Sequence, residues 1–219
     1  MIGVILVKGI SKRLPGKNFL NFDGKPLWRI NVDKIKDKVD AVWVITDSVS
    51  HDKIEEYDNV KKWQRPTLYE SGVLGDEDVK YTSSCAVVRR FVEEMYLKKD
   101  PNPMLSLYGY TIGDVDIMLV QATNPLITDK FIDNCITAYN GLEDKTLVSI
   151  NQNTCKVNGN IYIFSSNVAW HRFRNNRLIN TRTTLAYVGT YPTINADIDI
   201  WDDYCIAIAI GEGRIVNVQ

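Results

Sequence analysis

Short apolar runs that alternate with segments of helical periodicity predict an α/β fold, a three-layer sandwich around a mostly parallel central sheet. Two observations carry this. Residues 2–7, 41–46, 117–120 and 147–150 are nearly unbroken apolar runs, the pattern of strands buried on both faces. Between and beyond them, apolar side chains recur at intervals of three and four, which lines them along one side of a helix.

In chain order, the 2–7 run is the first strand. It breaks at once into Lys8-Gly9-Ile10-Ser11-Lys12-Arg13-Leu14-Pro15-Gly16-Lys17-Asn18. The 41–46 strand ends in Thr46-Asp47-Ser48, where Asp47 can cap a following helix. Residues 64–78, with Pro66, Gly72 and Gly75 among several acids, read as a loop. From Ser84, the positions Val87, Val88, Phe91, Val92, Met95 and Tyr96 keep helical spacing, and Ser83 or Ser84 can cap that helix. Residues 100–116, with Pro101, Pro103, Gly109 and Gly113, read as a second loop. The 117–120 strand runs into Gln121-Ala122-Thr123-Asn124-Pro125-Leu126. From Thr128, the positions Phe131, Ile132, Cys135, Ile136 and Tyr139 repeat helical spacing, and Gly141 ends the helix. After the 147–150 strand, Asn158-Gly159 predicts a turn leading into another strand. A last helix is expected over about residues 201–210, stopped by Gly211. No repeat, low-complexity tract or linker divides the chain, so residues 1–219 are expected to form one domain.

Composition narrows the partners. Lys and Arg number 26 against 27 Asp and Glu, for a net charge of −1, so bulk charge gives no reason to expect nucleic acid or a membrane surface. Any anion site must be local. The four cysteines, Cys85, Cys135, Cys155 and Cys205, show no C-x-x-C spacing, which argues against a zinc or redox motif. The 2–7 run is too short for a signal peptide and lacks a cleavage site. No run approaches a membrane span, and a cytoplasmic protein is expected.

The loop after the first strand is the leading candidate site. Glycine lets the backbone approach an anion, and successive N–H groups can form an anion-binding concavity. Lys8, Lys12, Arg13 and Lys17 place four positive charges in this one loop. A solvated basic turn is the plain alternative, since neither a P-loop nor a dinucleotide fingerprint is present. The second candidate is Asn195-Ala196-Asp197-Ile198-Asp199. In an extended backbone Asp197 and Asp199 project to the same side. Adjacent carboxylates repel unless a cation lies between them, and Mg²⁺ commonly takes one or two carboxylates with phosphate oxygens and water. Alternatively, one aspartate caps the helix near Trp201 and the other is solvated. Paired with a phosphate loop, the motif favours metal. In the 121–126 stretch, Gln121 and Asn124 carry amides that can face a base edge or a sugar hydroxyl, or simply make a turn. Arg65, in Gln64-Arg65-Pro66, can clamp a phosphate or lie on the surface. Asn158 can reach a sugar or only turn the chain.

These stretches, in this order, resemble the acylneuraminate cytidylyltransferase family, the CMP-sialic acid synthetases with their CMP-Kdo relatives. Ser11-Lys12-Arg13-Leu14-Pro15-Gly16-Lys17-Asn18 with Gly24-Lys25-Pro26-Leu27 is similar to its opening. Thr46-Asp47 resembles its Ser-Thr-Asp strand end, and Arg65-Pro66 with Leu68 its Arg-Pro-x-x-Leu segment. Thr82-Ser83-Ser84 is similar to its next helix start. Gln121-Ala122-Thr123-Asn124-Pro125-Leu126 resembles Gln-Pro-Thr-Ser-Pro-Leu. Asn158-Gly159-Asn160-Ile161-Tyr162 resembles Asn-Gly-Ala-Ile-Tyr, and Asp197-Ile198-Asp199 with Asp203 resembles Asp-Ile-Asp-x-x-x-Asp.

The resemblance implies a Rossmann-like nucleotidyltransferase sandwich of the nucleotide-diphospho-sugar transferase type. It implies an Mg²⁺-dependent reaction joining CMP from CTP to a sugar, with release of pyrophosphate. Lys8, Gly9, Ser11, Lys12 and Asn18 would line the nucleotide, with Arg65 and Ser83 or Ser84 helping to hold it. Lys17 would stabilise charge near the α-phosphate. Gln121, Thr123 and Asn158 would face the sugar. Asp197 and Asp199 would hold Mg²⁺ and, with Lys17, form the catalytic set.

Three departures qualify the substrate. Lys8 stands where the family usually has Arg, which keeps the charge and loses the fork. Ile127 stands where it often has Arg. Only residues 151–157 stand where the family carries a long segment with dimer contacts and part of the acidic-sugar pocket. Nucleotidyl transfer is therefore expected more firmly than sialic acid. A smaller sugar or sugar phosphate, UTP or another nucleotide, and a non-catalytic nucleotide-binding protein remain alternatives, and a homodimer stays open.

Overall fold

The first strand, β1 (Ile2–Leu6), shows why its sequence is apolar throughout. Ile2 and Val4 face one core, whereas Ile5 and the following Val7 face the other, the alternation of a strand buried on both sides. The computed structural model describes residues 1–11, 13–66, 84–99, 110–140, 146–151, 157–172, 184–189 and 197–212. After β1 come a 3-10 turn (Lys17–Phe19), the hairpin β2 (Asn21–Phe22) and β3 (Lys25–Pro26), and helix α1 (Leu27–Ile35). Then follow β4 (Ala41–Thr46), α2 (Ser48–His51), β5 (Val60–Gln64), α3 (Ser84–Tyr96), β6 (Leu97–Lys99), β7 (Tyr110–Ile112) and β8 (Asp116–Val120). The chain continues through α4 (Asp129–Asn140), β9 (Thr146–Asn151), β10 (Val157–Ser165), α5 (Ser166–Arg172), β11 (Thr184–Gly189) and α6 (Trp201–Gly211). Among the described residues no helix is long and apolar enough to cross a membrane.

Seven of the described strands form the central sheet, in the order β11-β9-β10-β8-β1-β4-β5. β1 is parallel to β4 and β8, β4 to β5, and β11 to β9. β10 runs antiparallel to both of its neighbours. The sheet is mostly parallel, as expected. On one face, α1 and α4 contribute Trp28, Val32, Ile35, Phe131 and Ile132. On the other, α3 and α5 contribute Val88, Phe91, Val92 and Ala169. From β1 the chain steps to β4 and β5 on one side, then returns to β8 on the other. The strand order therefore reverses between β1 and β8, and in open α/β sheets ligands bind outside the carboxyl ends of strands at such a reversal.

Some elements differ from expectation. Within the expected 100–116 loop, β7 pairs with β6. Asn158-Gly159 makes no hairpin turn; it lies inside β10, where the register with β9 shifts between Val157 and Tyr162, the mark of a bulge. Gly211 does not stop α6 through a left-handed cap. It lies in the last helical position, where a Cβ would meet Phe22 Cζ at 2.9 Å, so close approach is what requires glycine. Met95, at helical spacing with the buried positions of α3, is itself 40% exposed. Gly141 lies outside the described residues.

A third, smaller apolar cluster matters most for the site. Leu14, Phe22, Leu27, Ile198 and Ala207 pack together. This pins the 197–199 segment and α6 against the loop that follows β1.

Candidate active site

The ends of β1, β4 and β5 are tied by one carboxylate. Asp47 follows β4 and opens α2. Its Oδ1 accepts the Ser50 N–H at 3.0 Å, an N-cap, and also the Ser50 hydroxyl. Both of its oxygens accept the Gly9 N–H, at 3.0 and 2.9 Å. Arg65 lies just beyond β5 and is 1% exposed. Its Nη2 donates to the Val7 carbonyl at 2.8 Å and stands 3.9 Å from Asp47 Oδ2. Burial pushes the Asp47 carboxyl up, but hydrogen bonds from Ser50 and Gly9 and the Arg65 charge outweigh it and hold it below the usual range. The Gly9 N–H is engaged by Asp47 in this structure. Arg65 is not a surface residue; it is buried and ties strand ends together.

The cations that face outward come from the same loop. Lys17 Nζ donates to Asp199 Oδ1 at 2.9 Å and to the Ile198 carbonyl at 3.0 Å. Arg13 Nη2 lies 2.7 Å from the same Asp199 oxygen. Asn18 is buried, and its Nδ2 holds the Lys8 carbonyl at 2.9 Å, so it shapes the loop. Lys8 is exposed as a residue. Its pKa lies below the ordinary lysine value, through desolvation first and then Arg65 and Lys17, with Asp47 pulling the other way. Ser11 is half-buried in the same loop. Lys12 and Ser83 lie outside the described residues, as do Leu68 and Thr82. Ser84 is the exposed first residue of α3. Asn158 lies in β10, with its side chain outside what is described.

Across the reversal, the loop after β8 takes hold of Asp197. Gln121 Nε2 donates to its Oδ2 at 2.9 Å, and Thr123 Oγ1 to its Oδ1 at 2.5 Å. The Ile198 N–H donates to the Thr123 carbonyl at 2.9 Å. Gln121 and Thr123, expected to face a sugar, thus spend their side chains on the carboxylate. Asp197 and Asp199 do not share partners: the first is held by neutral donors, the second by cations. Neither caps the last helix. Asp203 does, accepting the N–H groups of Asp199 and Ile200 at 2.9 and 3.0 Å.

The donor set fits a divalent cation bound together with phosphate. Asp197 keeps its negative charge uncompensated by its neutral donors, which orient it in the manner of outer-shell partners. Asp199 is balanced by Lys17 and Arg13, which a polyphosphate would attract. Among the described residues no cluster of three or more His, Cys, Asp or Glu forms a closed cage. Shared coordination with phosphate oxygens is the habit of Mg²⁺.

The sequence reading missed two residues that support this edge. Asn31 and Lys34 of α1 donate to carbonyls of the loop after β8. The available signal was a polar residue on an otherwise apolar stripe, Leu27, Trp28, Asn31, Val32 and Ile35.

Residues 2–68, which span β1, its loop, β4 and Arg65, match the cytidylyltransferase family model. No curated protein matches the chain by sequence. In structure, the chain is similar to a 4-diphosphocytidyl-2C-methyl-D-erythritol synthase from Anaerococcus prevotii, with TM-score 0.61 and 11% identity over 96% of this chain and 98% of that one. It is similar to a CMP:2-keto-3-deoxy-manno-octonic acid synthetase complexed with CTP, with TM-score 0.59 and 14% identity over 98% and 99%. A Mycobacterium tuberculosis protein in complex with manganese gives TM-score 0.56 and 15% identity over 94% and 97%. The fold is that of the Rossmann-like nucleotide-diphospho-sugar transferases. The family match is confined to residues 2–68, and the structural likenesses show the fold. None of them singles out the acylneuraminate branch.

Proposed function

We propose that the chain is a divalent-cation-dependent cytidylyltransferase that transfers CMP from CTP to a hydroxyl of a sugar or small sugar phosphate and releases pyrophosphate. The observation that carries this reading is the crossing at Asp199. There Lys17 and Arg13, from the loop after β1, meet a carboxylate that Lys17 precedes by 182 positions, beside the β1/β8 reversal. In the transfer, the acceptor hydroxyl oxygen bonds to the α-phosphorus and its proton passes to water. The bond from that phosphorus to the bridging oxygen breaks, and pyrophosphate leaves with the electron pair. Little covalent chemistry falls to the protein, and positioning and charge balance dominate.

Lys8, Arg13 and Lys17 would bind and orient the polyphosphate. Asp197 and Asp199 would hold Mg²⁺ or Mn²⁺, which when bound supplies positive charge to the reacting and leaving phosphates. Because Lys17 and Arg13 occupy Asp199 beforehand, a polyphosphate that draws them off frees that carboxylate. Nucleotide and cation should therefore bind cooperatively. Residues 152–156 are all that separates β9 from β10, which favours an acceptor smaller than sialic acid.

The test is pyrophosphate release with Mg²⁺ or Mn²⁺ across CTP, UTP, ATP and GTP, each offered 2-keto sugar acids, pentose phosphates and hexose phosphates. Release from CTP with one acceptor, absent in Asp199→Ala, is the expected result. Release from another nucleotide would move the chain to a different nucleotidyltransferase, and no binding of any nucleotide would overturn the reading. Sedimentation at assay concentration decides whether a homodimer forms.

A further inference from the structure

Helix α1 touches the loop after β8 at four carbonyls, and two side chains make all four contacts. Asn31 Nδ2 donates to the carbonyls of Gln121 and Asn124, both at 2.8 Å. Lys34, three residues on and so on the same side of the helix, donates from Nζ to the carbonyls of Pro125 and Ile127 at 2.6 and 2.8 Å. The loop so held is the one whose Gln121 and Thr123 side chains grip Asp197, and whose Thr123 carbonyl receives the Ile198 N–H.

Asn31 is fully buried, and its Oδ1 accepts no hydrogen bond among the described residues. The opposite amide orientation would set that oxygen against two carbonyl oxygens, so the network fixes Nδ2 where it stands. Each of the two hydrogen bonds brings only a modest net gain, and an unsatisfied buried acceptor takes back at least as much as one of them. A leucine of similar volume would fill the same place on an apolar stripe and remove that orphaned acceptor, but it would take the donor away from the Gln121 and Asn124 carbonyls. What the amide does at this position is therefore specific: it satisfies and places two carbonyls of the loop.

We propose that Asn31, seconded by Lys34, is a positioning residue: it sets the 121–127 loop so that Gln121 and Thr123 hold Asp197 in place for the cation. This rests on the cytidylyltransferase reading for the cation and on the contacts alone for the brace.

Two readouts separate the parts. Hydrogen exchange of the amides of residues 121–124 and of Ile198 reports the brace directly. Binding of Mn²⁺ in the presence of CTP, followed by the spin-resonance signal of the free ion, reports the consequence. The variants are Asn31→Leu, the milder Lys34→Met in case Asn31→Leu fails to fold, and Tyr57→Phe. The last removes a hydrogen bond from the Tyr57 hydroxyl to Asp33 on the same helix, at 2.8 Å, without touching the loop. Asn31→Leu is expected to speed exchange at those amides, weaken Mn²⁺ at least tenfold and lower kcat at subsaturating Mn²⁺, with KM for CTP within about twofold once Mn²⁺ is saturating. Lys34→Met should do the same more weakly, and Tyr57→Phe should do none of it. Unchanged exchange in both Asn31→Leu and Lys34→Met would overturn the brace. Faster exchange with unaltered Mn²⁺ binding would reduce Asn31 to a structural residue and overturn its positioning role. If the wild-type protein itself takes up no Mn²⁺ with CTP, the failure lies in the reading of the site, and exchange still decides the brace.

Discussion

Asp47 and Asp197 both sit at the carboxyl edge of the parallel strands, yet they are satisfied in opposite ways. Asp47 is 6% exposed and gathers the Gly9 N–H, the Ser50 N–H and hydroxyl, and the nearby Arg65 guanidinium. Its charge is balanced from within. Asp197 is half-buried and receives only an amide and a hydroxyl, and among the described residues no ion pair reaches it. Its geometry is fixed while its charge is left over. The difference teaches how to tell a structural carboxylate from a candidate functional one when both lie at the same edge. The first has a cation of its own, and the second has only orienting neutral donors, which is what a carboxylate proposed to take a cation would need.

The sharpest way to break that comparison is to remove each charge while keeping the shape. Asp197→Asn and Asp199→Asn should each lower kcat for pyrophosphate release by about 10³-fold, the scale of losing one element of transition-state charge balance. Their melting temperatures should stay close to wild type. A large loss of stability with activity retained would place Asp197 in the same class as Asp47.

Asp47→Ala should do the reverse. It uncaps α2, removes the acceptor for the Gly9 N–H and takes the neighbouring carboxylate from a buried guanidinium. A loss of about 3 kcal/mol in urea unfolding is expected, combining a lost cap with a broken buried charge contact. The effect also has a pH signature. The folded-state carboxyl lies below its usual 3.8, so its contribution is complete above that value and is lost as pH falls through the lower folded one. The stability gap between wild type and Asp47→Asn should therefore be constant from about pH 5 to 7 and shrink below about pH 4. A gap that instead changes near neutrality would assign the titration to another group.

The same contrast explains what could be read from the sequence. β1, β4 and β8 are legible because both faces of each are covered, so nearly every side chain is apolar. The loop after β1 and the Asp197–Asp199 pair are legible because few roles need such charge density. Other features depend on distant partners. β5 is the last strand of the sheet among the described residues and carries Lys61, set over the Trp43 ring, and Lys62, which donates to the His51 and Ile54 carbonyls, and these partners erased its apolar signature. Asn158-Gly159 has the composition of a turn, yet pairing with β9 absorbs it as an irregularity within β10. Asn31 answers to carbonyls 90 and 93 positions away, a demand no local pattern expresses. Arg65 resembled a phosphate clamp because its sequence neighbourhood does not reveal that the Val7 carbonyl closes over it.

The smallest expected effect tests how tightly the Asp47 side is built. A Cβ at Gly9 would meet Val49 Cγ1 at 2.9 Å and Asp47 Oδ1 at 3.3 Å. Val49 is half-exposed and has room to swing aside. Asp47 does not, because the same oxygen caps α2. Gly9→Ala should therefore destabilise by about 1 kcal/mol, the lower range for forcing an extra methyl into a packed site. Val49→Ala in the same chain should recover only the part due to Val49. If the double variant regains full stability, the carboxylate is softer than its hydrogen bonds imply. If it regains none, the contact with Asp47 carries the whole penalty, and the requirement for glycine after β1 comes from the internal carboxylate.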